Sequence, residues 1–236
     1  MPTLSQVIIF FGPPGAGKGT QAAALSATLG IPAISTGEML RQAARSRSEL
    51  GKMLERVMAS GQLVSDDLIN QAVDERLRRQ DCQAGCILDG YPRTVAQARF
   101  LESLLQQLKL PEPVVFNFEL EIENLIHRIM RRRHCPKCGR IYSVNPNAQF
   151  IRCQKDGALL VQRTDDSPAS IRQRLELHKN TCAELLDFYR ARNYHEIVAS
   201  RTPNRVSEQL LAHLGMRMPS ARVASYPQAA MAHAGM

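Results

Sequence analysis

Short apolar runs alternate with longer stretches of helical spacing along most of the chain. The first run, over 6–11, is β-branched and aromatic, and apolar residues follow it at helical spacing over 16–29. Later apolar runs lie at 85–88, 113–118 and 195–198, and the helical stretches between them lie at 67–79, 95–108 and 122–132. This alternation is typical of parallel strands joined by helical crossovers, and it predicts a layered α/β fold.

Two stretches interrupt the alternation. Residues 35–64 predict short helices that break at Gly51, whereas residues 131–166 are rich in loops, with turns predicted at Asn145-Pro146 and Asp156-Gly157. We expect both stretches to be insertions into one core. The core segments are then 1–34, 65–130 and 167–215.

The composition narrows the class of protein and its compartment. The 236 residues are 44% hydrophobic and 22% charged, close to the globular average, which excludes a wholly disordered chain. Neither a signal peptide nor a membrane span is predicted, so we expect a cytoplasmic protein whose six cysteines stay reduced and serve metal binding or packing.

Residues 216–236 contain no acidic residue and no helical stripe, and we expect them to form a mobile tail.

The basic residues are mostly arginine. The chain carries 24 arginines and only 6 lysines, with a formal net charge of +8. Arginine matches phosphate oxygens two at a time, so this ratio favours phosphate binding, but codon bias in a GC-rich genome explains it equally well. Composition alone leaves the two explanations open.

A glycine-rich loop follows the first predicted strand. Gly12, Gly15, Gly17 and Lys18 have the spacing that lets backbone amides surround a polyphosphate while the lysine reaches the outer phosphates. The helix predicted after the loop adds its own amides and its positive dipole end. The hydroxyl residue that usually follows the lysine is replaced by Gly19, and Thr20 comes one place later.

The chain resembles the adenylate kinases in two motifs. The first runs from Phe11 to Gln21, and the second is Ile87-Leu88-Asp89-Gly90-Tyr91-Pro92-Arg93 followed by Gln97. The resemblance extends over about residues 5–214. It implies a P-loop three-layer fold with a parallel five-stranded sheet, a small helical insertion that binds the nucleoside monophosphate, and a lid insertion.

For the donor nucleotide, the resemblance implies a site on the glycine loop and the lid. The ATP-binding residues would be Gly12, Gly15, Ala16, Gly17, Lys18, Gly19, Thr20, Arg128, Arg132, Tyr142 and Ser200. The chain has Val198-Ala199-Ser200 where the family more often has Asp-Gly, so the loop beside the donor base is expected to differ here.

For the acceptor, the resemblance implies that Thr36 and Gln97 read the adenine of AMP. The AMP-binding residues would be Thr36, Arg41, Gly61, Gln62, Leu63, Val64, Gly90, Arg93, Gln97, Arg163 and Arg174. An amide such as that of Gln97 pairs with both a donor and an acceptor on the base. Arg41 and Arg93 are candidates to hold the acceptor phosphate by charge-assisted hydrogen bonds.

The expected chemistry is alignment and charge neutralisation. The catalytic residues would be Lys18, Asp89, Arg93, Arg132, Arg163 and Arg174. Asp89 closes an apolar strand next to the glycine loop, where a carboxylate orients magnesium through water, although an Asp before Gly90 also suits a plain turn. Since a nucleoside monophosphate is mostly anionic at pH 7, no general base is required.

A metal site is predicted inside the second insertion. Cys135-Pro136-Lys137-Cys138-Gly139 and Cys153-Gln154-Lys155-Asp156-Gly157 repeat one pattern, which predicts structural zinc held by Cys135, Cys138, Cys153 and Asp156. His134 is the rival fourth ligand, and Asp156 with Gly157 also suits a hairpin turn. The arrangement resembles the long-lid adenylate kinases that carry zinc.

These features together predict an adenylate kinase that converts MgATP and AMP reversibly into two ADP. The partners would be ATP, AMP and ADP, with no nucleic acid, no membrane and a monomeric chain. Alternatives are a kinase that uses GTP with AMP, one that acts on UMP or CMP, and a zinc-containing ATPase that binds nucleic acid.

Overall fold

The computed structural model describes residues 6–46, 48–145, 147–148 and 151–216. The seven strands in this part of the chain are β1 Gln6–Phe11, β2 Ala33–Ser35, β3 Gly85–Asp89, β4 Val114–Glu119, β5 Arg132–His134, β6 Ile141–Ser143 and β7 Tyr194–Val198. The eight α-helices are α1 Lys18–Leu29, α2 Thr36–Ala44, α3 Glu49–Ser60, α4 Asp66–Leu77, α5 Val95–Gln107, α6 Ile122–Met130, α7 Pro168–Arg190 and α8 Pro203–His213. Single 3₁₀ turns lie at Gln80–Cys82 and Thr164–Asp166.

The predicted parallel sheet is confirmed. Five strands pair in the order β2-β3-β1-β4-β7, and each neighbouring pair is parallel. Because β3 lies between β2 and β1, the segments that follow these strands meet at one edge of the sheet. Open α/β sheets bind ligands at this carboxyl edge.

Helices cover both faces of the sheet and make a three-layer fold. Alternate residues of β1 point to opposite faces, so that Val7 and Ile9 pack with α4, α5 and α7, whereas Ile8 and Phe10 pack with α1, α6 and α8. Both side-chain sets of β1 are almost fully buried. This explains why the strand is a continuous apolar run and not an alternating one.

The first interruption of the βα pattern consists of α2 and α3, and here one prediction is wrong. Gly51 does not break the helix, because α3 runs through it from Glu49 to Ser60. Gly51 is buried, and a Cβ there would lie 2.6 Å from the Ser46 hydroxyl oxygen. The residue is glycine because another chain segment packs against the helix at this point.

The second interruption contains a small antiparallel ribbon, β5 with β6. An isolated bridge joins His134 of this ribbon to Val161, and a second bridge joins Arg152 to Leu159. The segment 152–161 therefore pairs with itself and packs beside the ribbon. The turn predicted at Asn145-Pro146 lies partly outside the described residues. The predicted mobile tail also lies outside them, apart from Met216.

None of the described helices is both long and apolar enough to cross a membrane.

Candidate active site and metal cluster

A cleft of about 500 Å³ opens at the carboxyl edge of the sheet, and both segments that interrupt the βα pattern line it. It is lined by every residue that the sequence predicted to bind nucleotide or to act in catalysis, except Gly12 and Ser200. Gly12 lies beside the cleft in an adjoining cavity of about 90 Å³. The predicted donor and acceptor residues therefore share one space.

The glycine loop at the base of the cleft depends on backbone angles that favour glycine. Gly12, Gly15 and Gly17 have φ values of 128°, 87° and 97°. A Cβ on Gly12 would also lie 2.6 Å from the Phe118 carbonyl oxygen. Helix α1 begins immediately afterwards, at Lys18, so its first amides face the cleft.

Lys18 is held inside the loop. Its ammonium group donates hydrogen bonds to the carbonyl oxygens of Gly12 at 2.7 Å and Pro13 at 2.9 Å. Burial lowers the pKa of Lys18 from 10.5 to about 8; Asp89 opposes this shift, whereas nearby arginines reinforce it. A bound anion would reverse much of this effect, because it stabilises the charged form of the lysine.

Five arginines from separate segments converge above the loop, and we call them the arginine cluster. They are Arg41, Arg93, Arg132, Arg163 and Arg174. Burial, together with the neighbouring guanidinium groups, lowers the pKa of Arg93 and of Arg163 to about 10. So much positive charge in one partly buried space indicates a polyanionic ligand.

Two buried carboxylates balance part of this charge. Asp166 accepts two hydrogen bonds from Arg132, and Asp165 accepts one from Arg174 at 3.1 Å. The Asp165 carboxylate also lies 3.8 Å from Arg41. Burial alone would raise the pKa of Asp165, but Arg174 and Arg41 outweigh it and lower the pKa.

One wall of the cleft is formed by helices α2, α3 and α5. Gln97 is buried there, and its side chain accepts a hydrogen bond from the Arg93 amide at 2.7 Å and donates one to Asp66 at 2.6 Å. Thr36 donates to the Gly90 carbonyl oxygen at 3.0 Å. An amide has two donor hydrogens and two lone pairs, so Gln97 keeps capacity for a ligand.

Three apolar residues of the cleft were not among the predicted site residues. Leu40, Met58 and Ile69 line the cleft from three helices. Each belongs to an amphipathic helix, so spacing alone assigns it to packing. Only the placement of these helices beside the cleft distinguishes a ligand-facing side chain from a core side chain.

The opposite wall is formed by α6 and by the loop after β7. Arg128 donates hydrogen bonds to the carbonyl oxygens of Ala199 at 2.8 Å and Ala16 at 3.5 Å, and so bridges this loop to the glycine loop. Ala199 and Arg201 line the cleft, whereas Ser200 does not. Ser200 lies in the turn between them and is exposed, so the structure does not place this predicted donor residue in the cleft.

Tyr142 lines the cleft, but its hydroxyl group is directed elsewhere. The side chain is 1% exposed, and the hydroxyl lies 3.2 Å from the Cys153 sulfur while it accepts a hydrogen bond from the Gln154 amide at 3.1 Å. Tyr142 therefore connects the β5–β6 ribbon to the cysteine cluster. The sequence predicts Tyr142 only as a donor-site residue.

The predicted metal ligands form one cluster. One donor atom from each of Cys135, Cys138, Cys153 and Asp156 lies within 4.8 Å of the others. The Cys135 sulfur is 3.3 Å from the Asp156 carboxylate, and the Cys138 and Cys153 sulfurs are 3.5 Å apart. Three sulfurs and one carboxylate oxygen at these separations fit a closed tetrahedral zinc site.

Backbone amides support the cluster. The Cys138 amide donates to the Cys135 sulfur and the Lys155 amide to the Cys153 sulfur, each at 3.4 Å. Such contacts stabilise thiolates, the form that binds metal. His134, the rival fourth ligand, is not part of this four-residue cluster; its backbone pairs with Val161.

Comparison with known proteins gives consistent results. A family model described as "Adenylate kinase" matches residues 10–194. A protein named "Adenylate kinase" from Anaeromyxobacter dehalogenans is 46% identical over 188 residues, which is 79% of this chain and 88% of that protein. Proteins of the same name from a Thermoanaerobacter species and from Archaeoglobus fulgidus are 41% and 44% identical, over 89% and 78% of this chain and 98% and 85% of their own lengths.

Proposed function

This chain belongs to the adenylate kinase family, and we propose that its cleft transfers the terminal phosphoryl group of ATP to AMP, reversibly, to give two ADP. The protein is a phosphotransferase with a phosphate group as acceptor. The observation that carries the detailed proposal is the convergence of Lys18, Asp89 and the arginine cluster in one cleft between two walls.

We assign the donor site to the glycine loop and to the wall formed by α6 and the loop after β7. The backbone amides of Gly12 and of 15–20 would surround the ATP phosphates, Lys18 would leave its carbonyl partners to contact the outer phosphates, and Arg128 would cover the adenine. Tyr142 would contribute through its ring, since its hydroxyl lies against the Cys153 sulfur, whereas Ser200 does not line the cleft and is left out of the proposed donor site.

We assign the acceptor site to the wall formed by α2, α3 and α5. Arg41 and Arg93 would hold the AMP phosphate, while Thr36 and Gln97 would contact the base. The segment 61–64 and Gly90 would form the back of this pocket. Gly61 packs closely against α7, because a Cβ on it would lie 3.0 Å from the Ser170 carbonyl oxygen. This contact supports a well-defined pocket on the acceptor side.

The chemistry requires no general base. The attacking phosphate oxygen is already mostly anionic at pH 7, because its second pKa is near 6. The arginine cluster and Lys18 would align the two phosphates in line and neutralise the charge that spreads over the transferring group. Enclosure between the two insertions would exclude water and so limit ATP hydrolysis.

Magnesium fits beside Asp89. A Cβ on Gly19 would lie 3.2 Å from an Asp89 carboxylate oxygen, so the glycine leaves space next to this carboxylate at the start of α1. Asp89 would hold the magnesium that accompanies ATP, through water. The ion would supply charge neutralisation between the phosphates.

We further propose structural zinc at the cysteine cluster, with Cys135, Cys138, Cys153 and Asp156 as its four ligands. The small ribbon of the lid has a core of only a few side chains, to which Cys135, Tyr142, Val144 and Cys153 contribute. A metal would replace the core that such a short insertion cannot build.

The domain assignment follows from the same proposal. Residues 35–64 would be the acceptor-binding insertion and 131–166 the lid, whereas 1–34, 65–130 and 167–215 would form the core. We propose a monomer that acts in the cytoplasm on ATP, AMP and ADP, without nucleic acid or membrane partners.

A coupled assay that offers AMP, UMP and CMP with ATP and with GTP tests the function. The expected result is ADP formation from ATP and AMP, with weaker transfer in the other combinations. Lys18→Met is the negative control, and its turnover should fall about 10²- to 10³-fold, because one preorganised charge contact is lost. No transfer from ATP to AMP, together with salt-sensitive binding of DNA or RNA, would refute the proposal.

A further inference from the structure

Gln21 lies one turn into α1 and lines the cleft, but it has no place among the predicted nucleotide-binding or catalytic residues. We propose that Gln21 is a positioning residue that holds the loop 199–203 in place and thereby sets the affinity for the donor nucleotide. This inference rests on the proposed function, because it takes that loop to be the wall beside the donor base.

The Gln21 side chain joins two distant parts of the chain. It is 3% exposed, and its amide nitrogen donates a hydrogen bond to the Pro203 carbonyl oxygen at 2.9 Å. Its amide oxygen accepts a hydrogen bond from the Ser207 hydroxyl at 2.7 Å. The Ser207 bond orients the amide, so that the nitrogen and not the oxygen faces Pro203.

The loop is thus attached at both ends. Arg128 binds the Ala199 carbonyl oxygen at one end, and Gln21 binds the Pro203 carbonyl oxygen at the other. Ala199, Arg201 and Pro203 all line the cleft. A shift of either attachment would therefore move the surface that faces the donor.

The second attachment comes from the helix that also forms the phosphate site. Gln21 follows Lys18 by three residues, and its backbone amide donates to the Gly17 carbonyl oxygen at 3.1 Å. The same turn of α1 therefore carries Lys18, which would contact the phosphates, and Gln21, which holds the loop beside the donor base. This arrangement fixes the distance between the two subsites, which is preorganisation for a ligand with a base and a triphosphate.

A purely structural role would have a different consequence. A buried amide that only joined α1 to α8 would affect the free energy of unfolding and would change ATP and AMP affinity equally or not at all. A positioning role predicts a selective loss of donor affinity. The acceptor site is built on α2, α3 and α5, so a shift of 199–203 should leave it unchanged.

The experiment measures dissociation constants of ATP and AMP by isothermal titration calorimetry, and KM and kcat by the coupled assay. The variants are Gln21→Met, which removes the hydrogen bonds to Pro203 and Ser207 at similar size, Gln21→Glu, which keeps the acceptor for Ser207 but loses the donor to Pro203, and Ser207→Ala. Thr28→Ala is the matched control, since Thr28 is exposed on the same helix and bonds only within it, to the Ala24 carbonyl oxygen.

Gln21→Met and Gln21→Glu should each raise the Kd and KM for ATP about five- to tenfold, because both variants lose the hydrogen bond to Pro203, with AMP affinity and kcat within about twofold. Ser207→Ala should give a smaller effect in the same direction, and Thr28→Ala should give none. Circular dichroism checks folding, and if Gln21→Met does not fold, Gln21→Glu and Ser207→Ala decide.

Two results would overturn the inference. Unchanged ATP affinity in folded Gln21 variants, or equal losses for ATP and AMP, would leave Gln21 as a structural residue while the proposed function stood. Failure of the wild-type chain to bind ATP would refute both proposals together.

Discussion

Arg174 donates a hydrogen bond to Asp165 at 3.1 Å, and the carboxylate that accepts it is buried beside a second arginine, Arg41. Arg41 lies on α2, whereas Arg174 lies on the long helix α7. One carboxylate therefore joins groups that the chain separates by more than a hundred residues. It also holds cationic side chains together at a site where phosphates are expected to bind.

Asp165→Asn should destabilise the ligand-free protein. Loss of the carboxylate leaves buried guanidinium groups without their counter-charge, at a cost of about 3 kcal/mol in the free energy of unfolding. Urea unfolding measures this change. Asp187→Asn is the control, because its ion pair with Arg190 is exposed and should contribute about 0.5 kcal/mol or less.

A bisubstrate dinucleotide should stabilise Asp165→Asn more than the wild type, because its phosphates supply the missing counter-charge. Equal stabilisation of the two proteins by this ligand would contradict the view that Asp165 occupies the electrostatic role of a phosphate.

Gln97→Ala should weaken AMP binding about tenfold while ATP binding changes by less than about twofold, since the lost amide serves only the acceptor wall. Titration calorimetry with each nucleotide separates the two effects. Equal losses would show that Gln97 acts on the whole cleft, through its hydrogen bonds to Arg93 and Asp66. Gln107→Ala, on the exposed end of α5, is the control.

Metal analysis of the purified protein should find about one zinc per chain, as four ligands in one closed site imply. Chelation should lower the midpoint of thermal unfolding and raise the KM for ATP, because the lid ribbon loses the contacts that order it. Asp156→Asn should weaken zinc retention, whereas His134→Gln should not. Full zinc content in Asp156→Asn, with loss in His134→Gln, would make His134 the fourth ligand.

His178 should make stability depend on pH. Burial, reinforced by Lys18 and Arg93, lowers the pKa of His178 from 6.5 to about 4. As pH falls from 7 to 5, the unfolded chain takes up a proton at this residue and the folded chain does not, so the folded state loses about 2 kcal/mol of stability. Above pH 7 this contribution is constant, and below pH 4 the loss is complete.

The measurement is the free energy of unfolding at pH 7 and pH 5 for the wild type, His178→Gln and the exposed control His127→Gln. The pH dependence should be smaller in His178→Gln alone by about 2 kcal/mol. An identical pH dependence in all three proteins would mean that the pKa of His178 is the same in the folded and unfolded states.

Local patterns in the sequence determined which segments form helices and strands and which residues could bind phosphate or metal. The spacing of Gly12, Gly15, Gly17 and Lys18 predicts a phosphate loop because backbone angles and helix ends depend on neighbouring residues. The repeated pattern around Cys135 and Cys153 predicts a metal cluster for the same reason, and the structure brings these side chains together. Alternating runs predicted the α/β class, which the parallel sheet confirms.

Only the tertiary structure decided how distant residues meet. The order of the strands places the end of β3 beside the end of β1, and the packing of separate helices joins Gln97 to Asp66 and Gln21 to Pro203. The direction of the Tyr142 hydroxyl, towards Cys153 and the Gln154 amide, likewise depends on residues from another part of the chain. No local spacing encodes such contacts, because they form only when the free energy of the whole packed arrangement is lowest.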